Sequence, residues 1–257
     1  MNMPNALLPP LTPHTALFLD FDGTLVELAA QPEAVVIPPL LISTLAGLYH
    51  QLGGALALVS GRSLLDLDAF VAPLQLPTAI EHGAQRRNAE GLLISAPAID
   101  LGLALQAAEN LVQHYPALRL ERKQLALSLH YRQAPELESL CLHTMRQAVE
   151  CSVGLELMQG KCVIDIKPAG VSKGTAIAAF MTEAPFAGRT PIFAGDDMTD
   201  EDGFERIQCL GGHAIKVGEG PSCAPYRCPS VAQLAQWLES ATALFHVHGT
   251  GAEKASA

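Results

Sequence analysis

The feature that most constrains this fold is a series of short, apolar, strand-like runs, each ending in polar or glycine residues: TALFLDFD, GALALVSGR, TAIEHGA, PIFAGDD and HAIKVGE. Helical patterns lie between several of them. In PPLLISTLAGLYHQLGG, residues Leu41, Leu45, Leu48 and Leu52 recur at helical spacing, and Gly53 and Gly54 supply a stop. KGTAIAAFM and VAQLAQWLES are further helix candidates. Continuous apolar strands alternating with helices predict an α/β fold with a parallel sheet covered on both faces. Ligands of such sheets gather beyond the carboxyl ends of the strands. Here those ends hold Asp20 and Asp22, Ser60, Glu81, and Asp196 and Asp197.

Residues 104–166 read differently. LGLALQAAENLVQHYP is helical, with Leu101, Leu105, Ala108, Val112 and Tyr115 expected on one stripe. LRLERKQLALSLHYR alternates with period two and changes phase at RKQ, which predicts a hairpin. A second helix, PELESLCLHTMRQAVE, leads into LELMQGKCVIDIKP. There Cys162, Ile164 and Ile166 share one strand face, and Lys161, Val163, Asp165 and Lys167 the other. The expectation is a smaller α/β module with an antiparallel sheet at 104–166, inserted into a main unit of residues 1–103 and 167–257.

The chain has 257 residues, 49% of them hydrophobic, which is ample for a large core. Its formal charge of −10 argues against nucleic acid or an anionic membrane as partner. An anionic substrate would then need locally placed cations. The six cysteines form no C-x-x-C pair and fit a reducing cytoplasm. The opening MNMPNALLPPLTPH lacks a basic start, and no apolar run approaches the ~20 residues of a membrane span. The tail HGTGAEKASA is expected to fray. With no heptad or long apolar stripe, the expected state is a monomer.

The chemistry lies at the strand ends. In DFDGT an extended backbone puts Asp20 and Asp22 on one face, close enough to share a metal or for one to move a proton beside the other. GDDMTDEDGFE brings a second carboxylate cluster to the same sheet edge. Thr199 with Asp202 resembles a capping box there, which gives Asp200, Glu201 and Asp202 an ordinary structural reason. Asp196 is less easily explained without a cation, and oxygen-only ligands suit Mg2+. In KPAGVSKGTAIAAF, Ser172 reads as an N-cap that places Lys173 in a first helical turn, an unfavourable site for a cation unless an anion is close. Ser60 in ALVSGR adds a hydroxyl beside a glycine.

These pieces resemble, in order and spacing, the haloacid dehalogenase superfamily of phosphohydrolases, with a Rossmann-like core. The resemblance implies that Asp20 is the nucleophile and Asp22 the acid/base. It implies that Ser60 and Lys173 hold phosphoryl oxygens, and that Asp20, the Asp22 carbonyl and Asp196 hold Mg2+. The insert between the serine and lysine motifs resembles a type-two α/β cap. More closely, EHGA, LERKQLALSLHYR, GKCVIDIKPAGVSKGTAI and FAGDDMTDEDGF resemble the trehalose-6-phosphate phosphatase family. That implies trehalose 6-phosphate as substrate, with Glu121, Lys123 and Asp165 on the glucose unit remote from the phosphate and Lys161 and Arg132 in support. The family usually has glutamate where this chain has Asp165. Asp197 gains no role from the sequence, and Glu81 and His82 match family positions with structural or loop-closing roles. Another sugar phosphate, a mutase reaction and a non-catalytic binding protein are the competing expectations.

Overall fold

The computed structural model describes residues 8–29 and 31–249, so the stretches 1–7 and 250–257, which include most of the tail expected to fray, fall outside the described residues. The chain opens with β1 (Thr15–Leu19), α1 (Leu41–Gln51), β2 (Leu56–Val59), α2 (Leu64–Val71) and β3 (Thr78–Ile80). A 3-10 turn at Glu81–Gly83 leads to β4 (Gln85–Arg87) and β5 (Leu93–Ser95). Next come α3 (Gly102–His114), β6 (Arg119–Arg122), β7 (Leu127–His130), α4 (Glu138–Glu150), β8 (Leu155–Gly160) and β9 (Val163–Pro168). The chain continues through α5 (Lys173–Phe180), β10 (Thr190–Gly195), α6 (Glu201–Cys209), β11 (His213–Val217), β12 (Tyr226–Cys228) and α7 (Val231–Gly249).

Among the described residues these strands build two sheets. The larger has the order β12-β11-β10-β1-β2-β3-β4-β5, the smaller β6-β7-β9-β8. From β12 to β3 every pairing is parallel, and β4 and β5 extend that sheet antiparallel. The expected parallel sheet therefore carries an antiparallel edge. Central β1 is buried along its whole length, as a strand covered by helices on both faces must be. Phe18 packs on Phe186 and Phe180 with centroids 5.4 and 5.9 Å apart, in reach of favourable ring–ring contact. The α1 stripe of Leu41, Leu45 and Leu48 and the following Leu52 are buried as the spacing predicts.

The small sheet has its own apolar cluster, built from α3, α4 and one sheet face, with Leu127, Leu129, Met145, Ile164 and Ile166 at its centre. Two details depart from the sequence reading. The buried face of α3 is Ala104, Ala108 and Leu111, while Tyr115 lies exposed beyond its end. The stripe is thus rotated towards Ala104 and Leu111, with Leu101, Leu105 and Val112 only partly buried against the same cluster. Lys161 occupies the tight turn between β8 and β9 instead of a strand face, and Cys162 beside it has φ +62°.

The two ends of the segment that builds the small sheet meet at one place. Ala96 N–H donates to the Ala84 carbonyl at 2.8 Å, and the neighbouring Gly83 packs so tightly on the Ser172 carbonyl that no Cβ would fit. Its φ of +97° is open to glycine alone among residues without strain.

Candidate active site

A cavity of about 460 Å3 lies between the carboxyl ends of the parallel strands and the polar face of the small sheet. That is within the range of small-molecule sites. Asp20, Asp22, Ser60, Lys173, Asp196 and the small-sheet residues Glu121, Lys123, Asp165, Lys161 and Arg132 all line it.

On the core side, Asp20 follows β1 and is 4% exposed. Lys173 Nζ donates to Asp20 Oδ1 and to Asp200 Oδ1, each at 2.7 Å. Ser172 caps α5 as the sequence predicts, its hydroxyl accepting from Thr175 N–H at 3.1 Å while Thr175 Oγ1 accepts from Ser172 N–H at 2.8 Å. That box fixes the first turn and hence Lys173, whose buried ammonium is secured by the two carboxylates. Burial alone would lower its pKa, but Asp20 and Asp200 reverse this and carry it well above the ordinary lysine value. Burial pushes the Asp20 carboxyl up despite Lys173, and Asp196 also rises by burial despite Lys161.

The capping box after β10 lies two residues earlier than the sequence suggests. Asp197 and Asp200 form it, in place of Thr199 and Asp202. Asp202 instead accepts from Gly174 N–H at 3.0 Å, steadying α5. Asp200 is fully buried and was undervalued by the sequence reading. One of its oxygens takes Lys173, and the other accepts the N–H groups of Asp196 and Asp197, each at 3.0 Å. Asp197 also gains a role. Its Oδ2 accepts Lys161 N–H at 3.0 Å, while Lys161 Nζ reaches Asp196 Oδ2 at 2.5 Å, so two aspartates hold the β8–β9 turn.

Carboxylate oxygens of Asp20, Asp196 and Asp200 lie within 4.8 Å of one another. Asp20 Oδ2 is buried with no hydrogen-bond partner. Such an oxygen beside further carboxylates fits a hard cation. Both Asp200 oxygens are already committed to protein donors, which makes Asp20 and Asp196 the better ligands. Gly23, at φ +79°, lets Asp196 approach; a Cβ there would collide with its carboxylate.

Asp22 sits at the mouth of this cluster. Arg62 grips it through two bonds, from Nε at 2.6 Å and Nη2 at 2.7 Å. Ser60 is buried at the end of β2, and its hydroxyl accepts from Arg62 N–H at 3.2 Å. Arg62 was missed in the sequence, although it stands in the quoted SGR. Its signal was an arginine two residues past the strand-end serine, the reach needed for a planar two-bond contact with a carboxylate.

On the facing sheet, Glu121, Lys123 and Asp165 converge. Lys123 Nζ donates to Ser128 Oγ at 2.6 Å and lies 3.5 Å from Asp165 and 3.8 Å from Glu121. Ser128 also donates to Asp165 through a short bond. His130 pairs with Glu121 at 2.9 Å, and core residue His82 approaches Asp165 at 3.3 Å. Burial opposes ionisation of Asp165, but His82, Lys123 and Ser128 outweigh it and hold its pKa well below the usual carboxylate range. Burial lowers the His82 pKa against the pull of Asp165. Arg132 stands apart from this group and donates to the Lys161 carbonyl at 3.1 Å.

The sequence pattern of the trehalose-phosphatase family matches residues 18–230. The chain is 43% identical over 247 residues to a trehalose-6-phosphate phosphatase of Escherichia coli, covering 94% of this chain and 92% of that relative. It is 41% identical over 208 residues to a probable trehalose-phosphate phosphatase of Sinorhizobium fredii, covering 79% and 77% of the two chains. A solved trehalose-6-phosphate phosphatase related protein superposes with TM-score 0.71 at 31% identity, over 89% of this chain and 97% of that one. The C-terminal domain of Candida albicans trehalose-6-phosphate phosphatase shares the fold, with TM-score 0.81 at 20% identity over 90% of this chain and 93% of that one. With its motifs and its architecture in agreement, the chain belongs to the trehalose-phosphatase family.

Proposed function

We propose that this chain is a Mg2+-dependent phosphatase that converts trehalose 6-phosphate to trehalose and phosphate. The observation that carries the reading is the meeting, on one cavity, of a buried Asp20–Lys173 cluster and a facing Glu121–Lys123–Asp165 cluster. The first suits phosphoryl transfer, where positioning and charge neutralisation dominate. The second offers paired donors and acceptors for sugar hydroxyls.

One Asp20 carboxylate oxygen attacks phosphorus as the phosphorus–oxygen bond to the sugar breaks, while the other is left to the cation. Asp22 gives its proton to the leaving oxygen, releasing trehalose and leaving an aspartyl phosphate on Asp20. Asp22 then takes a proton from water, whose oxygen attacks phosphorus, and the bond to Asp20 breaks to release phosphate. The first step requires Asp22 to exchange its Arg62 partner for a proton when substrate is bound. Ser60 and Lys173 hold the non-bridging phosphoryl oxygens, and Lys173 keeps Asp20 oriented. Asp20, Asp196 and the Asp22 carbonyl would hold Mg2+, which offsets charge on the phosphoryl oxygens when bound.

Residues 104–166 act as the specificity cap over a core of 1–103 and 167–257. Glu121, Lys123 and Asp165 bind the remote glucose unit, while Lys161 and Arg132 support the closed position. Among the described residues no helix is long and apolar enough to cross a membrane. We place the protein in the cytoplasm as a monomer that needs neither nucleic acid nor membrane.

The test is free phosphate released from trehalose 6-phosphate, sucrose 6-phosphate, glucose 6-phosphate and an aryl phosphate, with Mg2+ and with a chelator. Release confined to trehalose 6-phosphate and abolished by the chelator is expected. Equal rates across the panel would overturn the substrate, and silence with every member would overturn the enzyme.

A further inference from the structure

The turn Glu81–Gly83 takes no part in the chemistry above, yet it is bonded to both sides of the cavity. Towards the core, Glu81 N–H donates to the Arg62 carbonyl at 3.0 Å and His82 N–H to the Ser60 carbonyl at 3.1 Å. The turn is thereby laced to the segment that carries Ser60 and the partner of Asp22. Towards the cap, the buried Glu81 carboxylate accepts Gln124 N–H at 3.0 Å and Leu125 N–H at 2.8 Å. These two amides belong to the β6–β7 turn, next to Lys123. His82 meets Asp165 at 3.3 Å. Adjacent residues of one core turn thus hold one of the three converging cap residues, Asp165, and the turn that follows another, Lys123. Glu81 and His82 both have left-handed φ, 48° and 57°. Side-chain-bearing residues keep that conformation where their surroundings dictate it.

Strand register places this grip at one end of the cap. Arg122 pairs with Leu127 and Leu127 with Ile166, close to where β9 leaves for the core. Arg119 pairs with His130 and His130 with Val163 at the other end. The Glu81 bonds lie at the near end, beside the connecting segments. The Arg119–Glu33 pair and the Lys161 contacts to Asp196 and Asp197 lie at the far end. A cap that rotates at its connections keeps the near contacts and releases the far ones.

We propose that Glu81 is a positioning residue: its carboxylate pins the β6–β7 turn to the core as the pivot of the cap, and so sets Lys123 and Asp165 against Asp20. The part of this that concerns substrate rests on the trehalose 6-phosphate reading. Glu81→Gln keeps the size of the side chain but turns an amide donor towards one of the two N–H groups. Two readouts are taken on the full chain: amide hydrogen exchange at Gln124 and Leu125 without ligand, and steady-state kinetics with trehalose 6-phosphate and an aryl phosphate. We expect exchange at those two amides to accelerate at least tenfold while β1 and β10 amides are unchanged. We expect KM for trehalose 6-phosphate to rise at least tenfold, with aryl phosphate hydrolysis within twofold of the parent. Glu81→Asp, which retains a carboxylate, should recover part of the protection, and it serves for the exchange measurement if Glu81→Gln does not fold. Unchanged exchange would overturn the pivot whatever the substrate. Equal losses on both phosphates would overturn the positioning role. Accelerated exchange in a protein that never cleaves trehalose 6-phosphate would support the pivot and overturn the substrate reading alone.

Discussion

The core and the cap each bury a lysine among carboxylates, and the two groupings are differently balanced. In the core, Asp20, Asp196, Asp197 and Asp200 outnumber Lys173, Lys161 and the buried Lys216 that donates to the Asp196 carbonyl, and one Asp20 oxygen has no donor. Burial therefore wins, and the Asp20 and Asp196 carboxyls are pushed up. In the cap, Glu121 and Asp165 are answered by Lys123, His130, His82 and Ser128, so Asp165 is held low although it is as buried as Asp20. The same residue types thus give one cluster short of positive charge and one that is satisfied. The first suits a cation and a phosphate together. The second suits a neutral polyol, which can exchange hydroxyls for existing hydrogen bonds without adding charge.

Substitutions can break this contrast, and the largest effect is expected at the nucleophile. Asp20→Asn should lower kcat by about 10^4-fold or more, since the attacking oxygen is gone. The variant should still fold, since Asp200 continues to hold Lys173; a folded variant with parent activity would remove Asp20 from the chemistry. Lys173→Met should destabilise by roughly 3–5 kcal/mol, the consequence of leaving buried carboxylates without their cation. Urea unfolding measures it, and a loss below about 1 kcal/mol would show that the core cluster does not depend on its lysine.

Lys123→Ala sharpens the other half of the comparison. It should weaken kcat/KM for trehalose 6-phosphate by roughly 1.5–3 kcal/mol, the range for a hydrogen bond to a charged group, and spare an aryl phosphate. Loss on both substrates would move Lys123 from the sugar to the phosphate. The smallest effect concerns pH. Burial lowers the His82 pKa below its ordinary 6.5, so the unfolded chain binds a proton there that the folded chain refuses. The stability from this group is complete above pH 6.5 and falls as pH drops below it, by at most about 1.4 kcal/mol per unit. Glu121 and Asp165 lose stability at lower pH, below the ordinary glutamate value of 4.5 and aspartate value of 3.8. Subtracting the unfolding curve of His82→Gln from that of the parent isolates the imidazole. A difference independent of pH between 5 and 6.5 would show that His82 is not held neutral.

Much of the core half was legible because strand ends expose their chemistry in the chain. Asp20, Ser60 and Asp196 each close an apolar run, and the parallel sheet brings those ends together. Lys173 was legible for a different reason: a cation in a first helical turn calls for an anion. Asp200 was obscured because acids at a helix start have an everyday explanation, and the reading placed the cap two residues late. Short β4 and β5 leave too few residues to show a period. In α3 the leucines outweigh the alanines in hydrophobicity, yet Ala104 and Ala108 are fully buried and Leu105 only partly. The bonds from Glu81 to residues 124 and 125 run to backbone amides, which no side-chain pattern can announce.

Because both ends of the cap-building segment meet at residues 83–84, the larger sheet can be closed across that gap without it. A few residues in place of the segment would leave every parallel strand pairing intact, since none of them uses a residue between 96 and 172. Loop-closure entropy grows only slowly with length, so the size of the excursion is nearly free to change. The architecture is therefore exchangeable: an unrelated lobe with closely spaced ends can be spliced at this point, and the phosphate-handling half would inherit its new selectivity without being rebuilt.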